Sequence, residues 1–344
     1  MSHRVPEPVP EHYGPQGRSE WMDIDWREHQ RWVVVGGRPL NVIDLGAGDE
    51  VIVFVHGLAG SWQNWLEQLP HFARTHRVIA MDLPGFGYSP MPPEKISIPG
   101  YGRCVDALLE ELGIERAAIV GNSMGGFIGA EMAIQFPQRV DRLVLVSAAG
   151  LSIEHERDER LLAVLRRTQN VLAFVTGWVA AQSETLMRRP RLRRALLEMV
   201  AYRAQELPAP LIAEQVRGSG KPGFVDALDA LSDYPIRDRL GAISCPTLVV
   251  WGEKDHLVPV RDAWEFEELI PDARAVVWPE TGHVAMFERP AAFNALVDEF
   301  LAQPRERATL HEPQVAVATD ADADPDEAGD GIASRSEAPP PAVT

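Results

Sequence analysis

A serine held between glycines is the first place in this chain where covalent chemistry could occur. Ile119-Val120-Gly121-Asn122-Ser123-Met124-Gly125-Gly126 follows an apolar run and leads into a helical one, Phe127 to Gln135. A strand-to-helix turn this sharp pushes its side chain clear of the backbone. Gly121 and Gly125 remove the β-carbons that would block so close a passage. A serine hydroxyl is a weak nucleophile until a base takes its proton, so a histidine has to reach it. Of the ten histidines, His283 stands just after an apolar run, Ala275 to Trp278, where a strand-end loop could deliver it. The imidazole in turn needs an acid to fix its tautomer and stabilise the imidazolium. Asp255, after the run Thr247 to Trp251, is the candidate, with Glu253 its nearest competitor; the loop Ser147-Ala148-Ala149-Gly150 offers no carboxylate.

Attack on a carbonyl also places negative charge on oxygen, which needs aimed donors. The backbone N–H of Met124, directly after the serine, is one candidate. The other is the backbone of Leu58, in the loop His56-Gly57-Leu58-Ala59-Gly60 after the run Val51 to Val55. His56 invites a metal reading, but no second ligand stands near it at metal-binding spacing, and it reads as structural. The expected mechanism uses no metal and no organic cofactor, and the expected partner is a small-molecule substrate.

The elements that must position these groups are legible as short apolar runs. A hairpin is expected from Trp32 to Val35 and Leu40 to Leu45 across Gly36-Gly37. Val51 to Val55, Val78 to Met81, Ala117 to Val120 and Leu143 to Val146 follow, then Thr247 to Trp251 and Ala275 to Trp278. Runs so short and so apolar suit strands buried on both faces. The fold expected is α/β, a mostly parallel central sheet of about eight strands flanked by helices. Phe293, Leu296, Val297, Phe300 and Leu301 repeat at the helical period and close the body.

From Gly150 to about Leu240 strand signals stop. Leu161, Leu162, Val164, Leu165, Val171, Leu172 and Val175 keep helical spacing, and a second helical stretch is expected from Arg193 to Gln205. The reading is an all-helical cap, 151–240, inserted after the sixth strand of a core made of 21–150 and 241–303. Phe174 and Trp178 could line an acyl pocket or pack the cap. Arg188, Arg189, Arg191, Arg193 and Arg194 read as a solvated helix start, or as contacts to an anionic substrate group or a membrane surface. Residues 1–20 and 304–344 lack apolar periodicity and read as disordered.

The formal net charge is −17, of which −7 comes from residues 312–344, with eight acids against one arginine. No basic footprint for nucleic acid is present. Asp320, Asp322 and Asp324 imitate a calcium loop, but Pro325 stands where Gly is needed and Gly331 where a bidentate Glu is needed. No stretch approaches the ~20 apolar residues of a membrane span, and no leader is visible, so a cytoplasmic location is expected. Cys104 and Cys245 are expected to be reduced. Oligomeric state is left open.

Taken together, these motifs resemble the α/β-hydrolase superfamily in its capped, serine-nucleophile branch. The resemblance spans roughly residues 30 to 302 and includes the turn Asp82-Leu83-Pro84-Gly85-Phe86-Gly87-Tyr88-Ser89. The order Ser, Asp, His is the one that superfamily uses. It implies a hydrolase of a carboxylic ester or related acyl bond, working through an acyl-enzyme. Gly-Asn-Ser-Met-Gly-Gly also resembles the carbon–carbon bond hydrolases of ring-cleavage products. From those it departs in its HGLAG loop and in Val284, where they tend to carry an aromatic residue. A hydrolase-fold small-molecule receptor with little turnover is the reading from another class. An intact triad would be superfluous there.

Overall fold

The computed structural model describes residues 12–152 and 197–304, with Pro8, Pro10, Arg189, Arg191 and Arg194. One sheet of eight strands runs through it: β1 (Gln30–Val35), β2 (Arg38–Leu45), β3 (Val51–Val55), β4 (Arg77–Met81), β5 (Ala117–Asn122), β6 (Val140–Val146), β7 (Thr247–Gly252) and β8 (Ala273–Trp278). Their spatial order is β1-β2-β4-β3-β5-β6-β7-β8. The β1–β2 hairpin turns at Gly36 and Gly37, both with positive φ, and β2 pairs antiparallel to β4. Every later pairing is parallel.

Parallel strands need crossovers on both faces of the sheet, and the side chains divide accordingly. Val53, Val55, Ile119, Leu143, Leu145 and Val249 face helices α2 (Ile98–Glu111) and α3 (Met124–Gln135), meeting Val105, Leu108, Phe127 and Ile128. Ile52, Phe54, Val120, Val144 and Val250 face the other way. They pack on Trp65, on Leu69 and Phe72 of α1 (Leu69–Phe72), and on Phe293, Val297 and Phe300 of the helix Pro290–Leu301. Ser97 starts α2 by accepting the Gly100 N–H at 3.2 Å, and Pro99 fits the first turn, where an N–H would have no partner.

Chain order reverses direction across the sheet beside β3, which lies between β4 and β5. In such sheets a crevice opens at the carboxyl ends of the strands where the crossovers diverge. The loops after β3 and β5 flank that crevice.

Among the described residues between β6 and β7 there are helices at Ala209–Arg217 and Phe224–Asp233 and no strand. Leu161 to Val175, Phe174 and Trp178 lie outside the described residues, as do Arg188 and Arg193. Arg189, Arg191 and Arg194 are exposed, and Arg194 reaches Glu198 at 3.4 Å. The chain leaves β6 through Ser152, whose hydroxyl and N–H both bond Asp262. It returns past Arg239, which pairs with the buried Glu131 of α3 at 2.8 Å.

Two expectations need correcting. The helical stretch expected from Arg193 to Gln205 ends at Leu197. Residues 198–203 turn, and a short 3-10 helix covers Ala204–Glu206. The backbone there is spent elsewhere: the Val200 carbonyl accepts the His283 N–H at 2.9 Å, and the Tyr202 N–H goes to Glu288. Residues 12–20, read as disordered, are packed against the body. Gly14 and Ser19 are buried, the Gly14 N–H bonds the Glu288 carbonyl, and Ser19 bonds Glu67. The tail, 305–344, and its calcium-like run lie outside the described residues. Among those described, no helix is long and apolar enough to cross a membrane. Cys104 is half-buried and Cys245 buried, both free, and burial pushes each thiol up to about 12.

Candidate active site

Ser123 lies between β5 and α3 with φ 54° and ψ −116°, a conformation costly for a residue with a β-carbon. The surroundings over-determine it. Its N–H bonds the Val146 carbonyl, and its own carbonyl accepts from both Phe127 and Ala149. A β-carbon on Gly121 would lie 2.2 Å from the Gly125 carbonyl oxygen, and one on Gly125 2.1 Å from that of Val55. Both glycines are therefore sterically required. Ser123 remains partly exposed while its neighbours on both sides are buried.

Four non-glycine residues among those described have positive φ: Ala59, Ser123, Ser147 and Glu280. They stand in the loops after β3, β5, β6 and β8. Local strain thus collects at the carboxyl end of the sheet, and three of these four loops, those after β3, β5 and β8, carry candidate groups.

Asp255 sits in the turn after β7. Its Oδ1 accepts the N–H groups of Leu257 and Val258 at 2.8 and 2.9 Å, and its Oδ2 lies 2.8 Å from Nδ1 of His283. The Asp255 side chain is fully buried and that of His283 nearly so. With Nδ1–H donated to the carboxylate, Nε2 is the ring nitrogen left to act as a base. Glu253 pairs instead with Lys254 at 3.2 Å, part-exposed.

The loops bearing these groups are tied by backbone contacts. Asn122, beside the serine, donates from Nδ2 to the His283 carbonyl at 3.2 Å and to the Val146 carbonyl at 3.1 Å. At the end of β7 a β-carbon on Gly252 would fall 2.2 Å from the carbonyl oxygens of both Thr281 and Gly282. The acid and base loops cross there without room for a methyl group. This contact was missed in reading the sequence, where Gly252 passes for an ordinary turn residue.

The loop after β3 folds into a turn closed by Gly60 N–H to Gly57 carbonyl at 3.0 Å, with Leu58 and Ala59 at its apex. A β-carbon on Gly57 would be 3.2 Å from Cβ of Ser123, so this loop presses on the serine. Met124 opens α3, where first-turn N–H groups have no partner within the helix. His56 is fully buried. Its Nε2 accepts the Leu83 N–H at 3.0 Å, so Nδ1 carries the proton and donates to the Gly57 carbonyl at 2.8 Å. Burial holds its pKa below the ordinary imidazole value, and Asp82 opposes this. His56 thus braces the loop. Asp82 accepts from Asn41, Trp62 and Tyr88, which accounts for the Asp82–Ser89 turn.

Sequence reading also missed Glu288 and Tyr13. Glu288 is buried behind His283 and accepts N–H groups from Gly282 and Val284, the residues on either side of it. The available clue is a Glu five residues after the histidine, which passes for a helix-surface acid.

A family model described as alpha/beta hydrolase fold matches residues 50–290. The chain is 31% identical to 2-hydroxy-6-oxo-2,4-heptadienoate hydrolase of Pseudomonas putida, covering 79% of this chain and 96% of that protein. It is 32% identical to 2-hydroxymuconate semialdehyde hydrolase of a Pseudomonas species, covering 79% and 94%. Among solved structures, an N-acyl homoserine lactone degrading enzyme superposes with a TM-score of 0.61 at 28% identity, covering 78% of this chain and all of that one.

Proposed function

Because the chain belongs to the α/β-hydrolase fold family, we propose that Ser123, His283 and Asp255 form a serine hydrolase triad that cleaves the bond beside a carbonyl group. The observation that carries this is the Asp255–His283 contact of 2.8 Å, on loops that Asn122 binds to the turn bearing the strained Ser123. His283 Nε2 takes the hydroxyl proton as Ser123 Oγ adds to the carbonyl carbon. The oxyanion is held by the backbone N–H groups of Leu58 and Met124. Collapse breaks the bond to the leaving group, which receives the proton from His283. Water, deprotonated by the same imidazole, then releases the acid and restores the serine.

The substrate class that stands first is a diketone of the ring-cleavage kind. Two relatives at 31% and 32% identity are named as hydrolases of a 2-hydroxy-6-oxo-dienoate and of 2-hydroxymuconate semialdehyde, both with a carbonyl at the far end of a hydroxydienoate. The chemistry is consistent with the triad: a carbon leaving group departs only if its electron pair delocalises into a second carbonyl, which a conjugated diketone provides. Esters and lactones are the second reading, favoured by the likeness to the lactone-degrading enzyme and by Val284, which departs from the aromatic residue of the carbon–carbon hydrolases.

A panel tests both: p-nitrophenyl esters from C2 to C16, lactones, and a vinylogous diketone, with wild type and Ser123→Ala. The expected result is the highest kcat/KM on the diketone and a loss in the serine variant on the scale of ~10⁶. Near-full activity of Ser123→Ala would overturn the triad, and esters outrunning the diketone would select the second reading. Tight binding of a small molecule without any turnover would favour a receptor.

A further inference from the structure

We propose that Glu288 and Tyr13 are positioning residues for His283, the carboxylate gripping the base's loop by its backbone and the phenol, from near the start of the chain, holding that carboxylate in place. The inference rests on His283 being the base. Glu288 has no exposed surface. Around it converge four donors: the Gly282 N–H at 3.0 Å to both oxygens, the Val284 N–H at 3.3 Å, the Tyr202 N–H at 2.9 Å and the Tyr13 hydroxyl at 2.8 Å. Two of these flank His283 directly. Burial raises the Glu288 pKa, while the donated hydrogen bonds of Gly282 and Tyr13 lower it. Each donor therefore helps keep the group a pure acceptor, the form in which it can hold three N–H groups at once.

Tyr13 is itself fixed on every side. Arg289 and Arg203 lie over its ring, 5.0 and 5.9 Å from the centroid, and its oxygen accepts the Arg203 N–H at 2.7 Å. The neighbouring backbone is bound as well: the Gly14 N–H to the Glu288 carbonyl at 2.6 Å, and Arg289 Nη1 to the Pro10 carbonyl at 3.1 Å. Arg289 reaches back from Nη2 to the Glu280 carbonyl at 3.2 Å and from Nε to Thr281 Oγ1 at 3.3 Å. Pro10, Tyr13 and Gly14 thus hold Glu288 and Arg289, and Arg289 in turn reaches the other end of the loop at Glu280 and Thr281. None of Pro10, Tyr13 and Gly14 belongs to a strand or helix. Through Glu288 these contacts are passed to the backbone on either side of the imidazole.

The test uses the full chain carrying Tyr13→Phe, which keeps the ring against the two arginines and removes only the hydroxyl, and Glu288→Gln. Readouts are kcat, KM and the rate at which a fluorophosphonate labels Ser123, each per folded molecule. Small displacements of a catalytic group cost up to ~10²-fold, so Tyr13→Phe should lower kcat and labelling about tenfold. KM should stay within about twofold, since the substrate contacts are untouched. The double variant should fall no further than the weaker single, because both act through one carboxylate. Unchanged kcat and labelling in Tyr13→Phe, or a loss seen wholly in KM, would overturn the inference. Should Glu288→Gln fail to fold, Tyr13→Phe decides the matter alone. If Ser123→Ala and His283→Ala are inactive while Tyr13→Phe is not impaired, only the positioning role falls; if His283→Ala is active, the triad falls with it.

Discussion

Replacing Asp255 by Asn tests the tautomer on which the proposed mechanism depends. The asparagine amide can sit in two ways. In the first, its carbonyl keeps the N–H groups of Leu257 and Val258, at 2.8 and 2.9 Å, and its NH2 faces His283 Nδ1, at 2.8 Å. Nδ1 must then be the acceptor, so the ring proton moves to Nε2, the atom needed to take the serine proton. In the second, the NH2 faces two part-buried N–H groups. A fully buried donor left without an acceptor costs ~1–3 kcal/mol, so the pair costs at most about 6 kcal/mol. The first arrangement wins by that margin, and the enzyme is held in the wrong tautomer. The corresponding change in a serine protease costs about 10⁴-fold in kcat. A loss of about 10³–10⁴ is expected here, with the fold intact because the carbonyl still serves both N–H groups. The assay is kcat on the best substrate of the panel, alongside fluorophosphonate labelling of Ser123. Glu253→Gln is the control and should leave both unchanged, since that carboxylate pairs with Lys254. Asp255→Asn keeping a tenth or more of wild-type kcat would refute the assignment.

Two further outcomes follow from the packing and the charges. Gly252→Ala should lower Tm by about 5–10 °C, because its methyl would overlap two carbonyl oxygens and the loop must move at a cost of a few kcal/mol; an unchanged melting curve would mean that the crossing of the acid and base loops is slack. Burial keeps His56 neutral below the ordinary imidazole value, so the unfolded chain takes up that proton first as pH falls. The stability this neutral histidine contributes is complete above about pH 6.5 and is lost below it, by at most ~1.4 kcal/mol per pH unit. Denaturant midpoints from pH 8 to 5.5 should therefore slope less in His56→Asn than in wild type, and equal slopes would count against it.

The strands were legible because a parallel strand covered on both faces has nowhere to place a polar side chain, so Val51–Val55 and Thr247–Gly252 stand out as apolar blocks. The candidates Ser123, Asp255 and His283 stood out in the sequence because each follows such a block. Glycines whose importance comes from a distant partner were harder to read. Gly125 announces itself beside a serine, whereas the need for Gly252 arises from Thr281 and Gly282, about thirty residues on. Tyr13 was hidden for the same reason. Its carboxylate partner is 275 residues away, and the proline-rich composition around it resembles that of a tail. The stretch Arg193 to Gln205 has the apolar spacing of a helix, yet Val200 and Tyr202 satisfy their backbone groups on the histidine loop, a tertiary demand that overrides local preference.

The pairing of β6 with β7, Leu143 to Thr247 through Val146 to Val250, joins stretches of chain a hundred residues apart. The proposed nucleophile and its two backbone donors lie before that seam, and the proposed acid and base lie after it. On the proposed triad neither half holds a complete centre, and turnover would begin only once the late strands have docked on the early ones. Catalysis by the proposed triad would thus be a direct readout of completed assembly: a nascent polypeptide with every residue of its first half in place would still be inert toward esters and ketones.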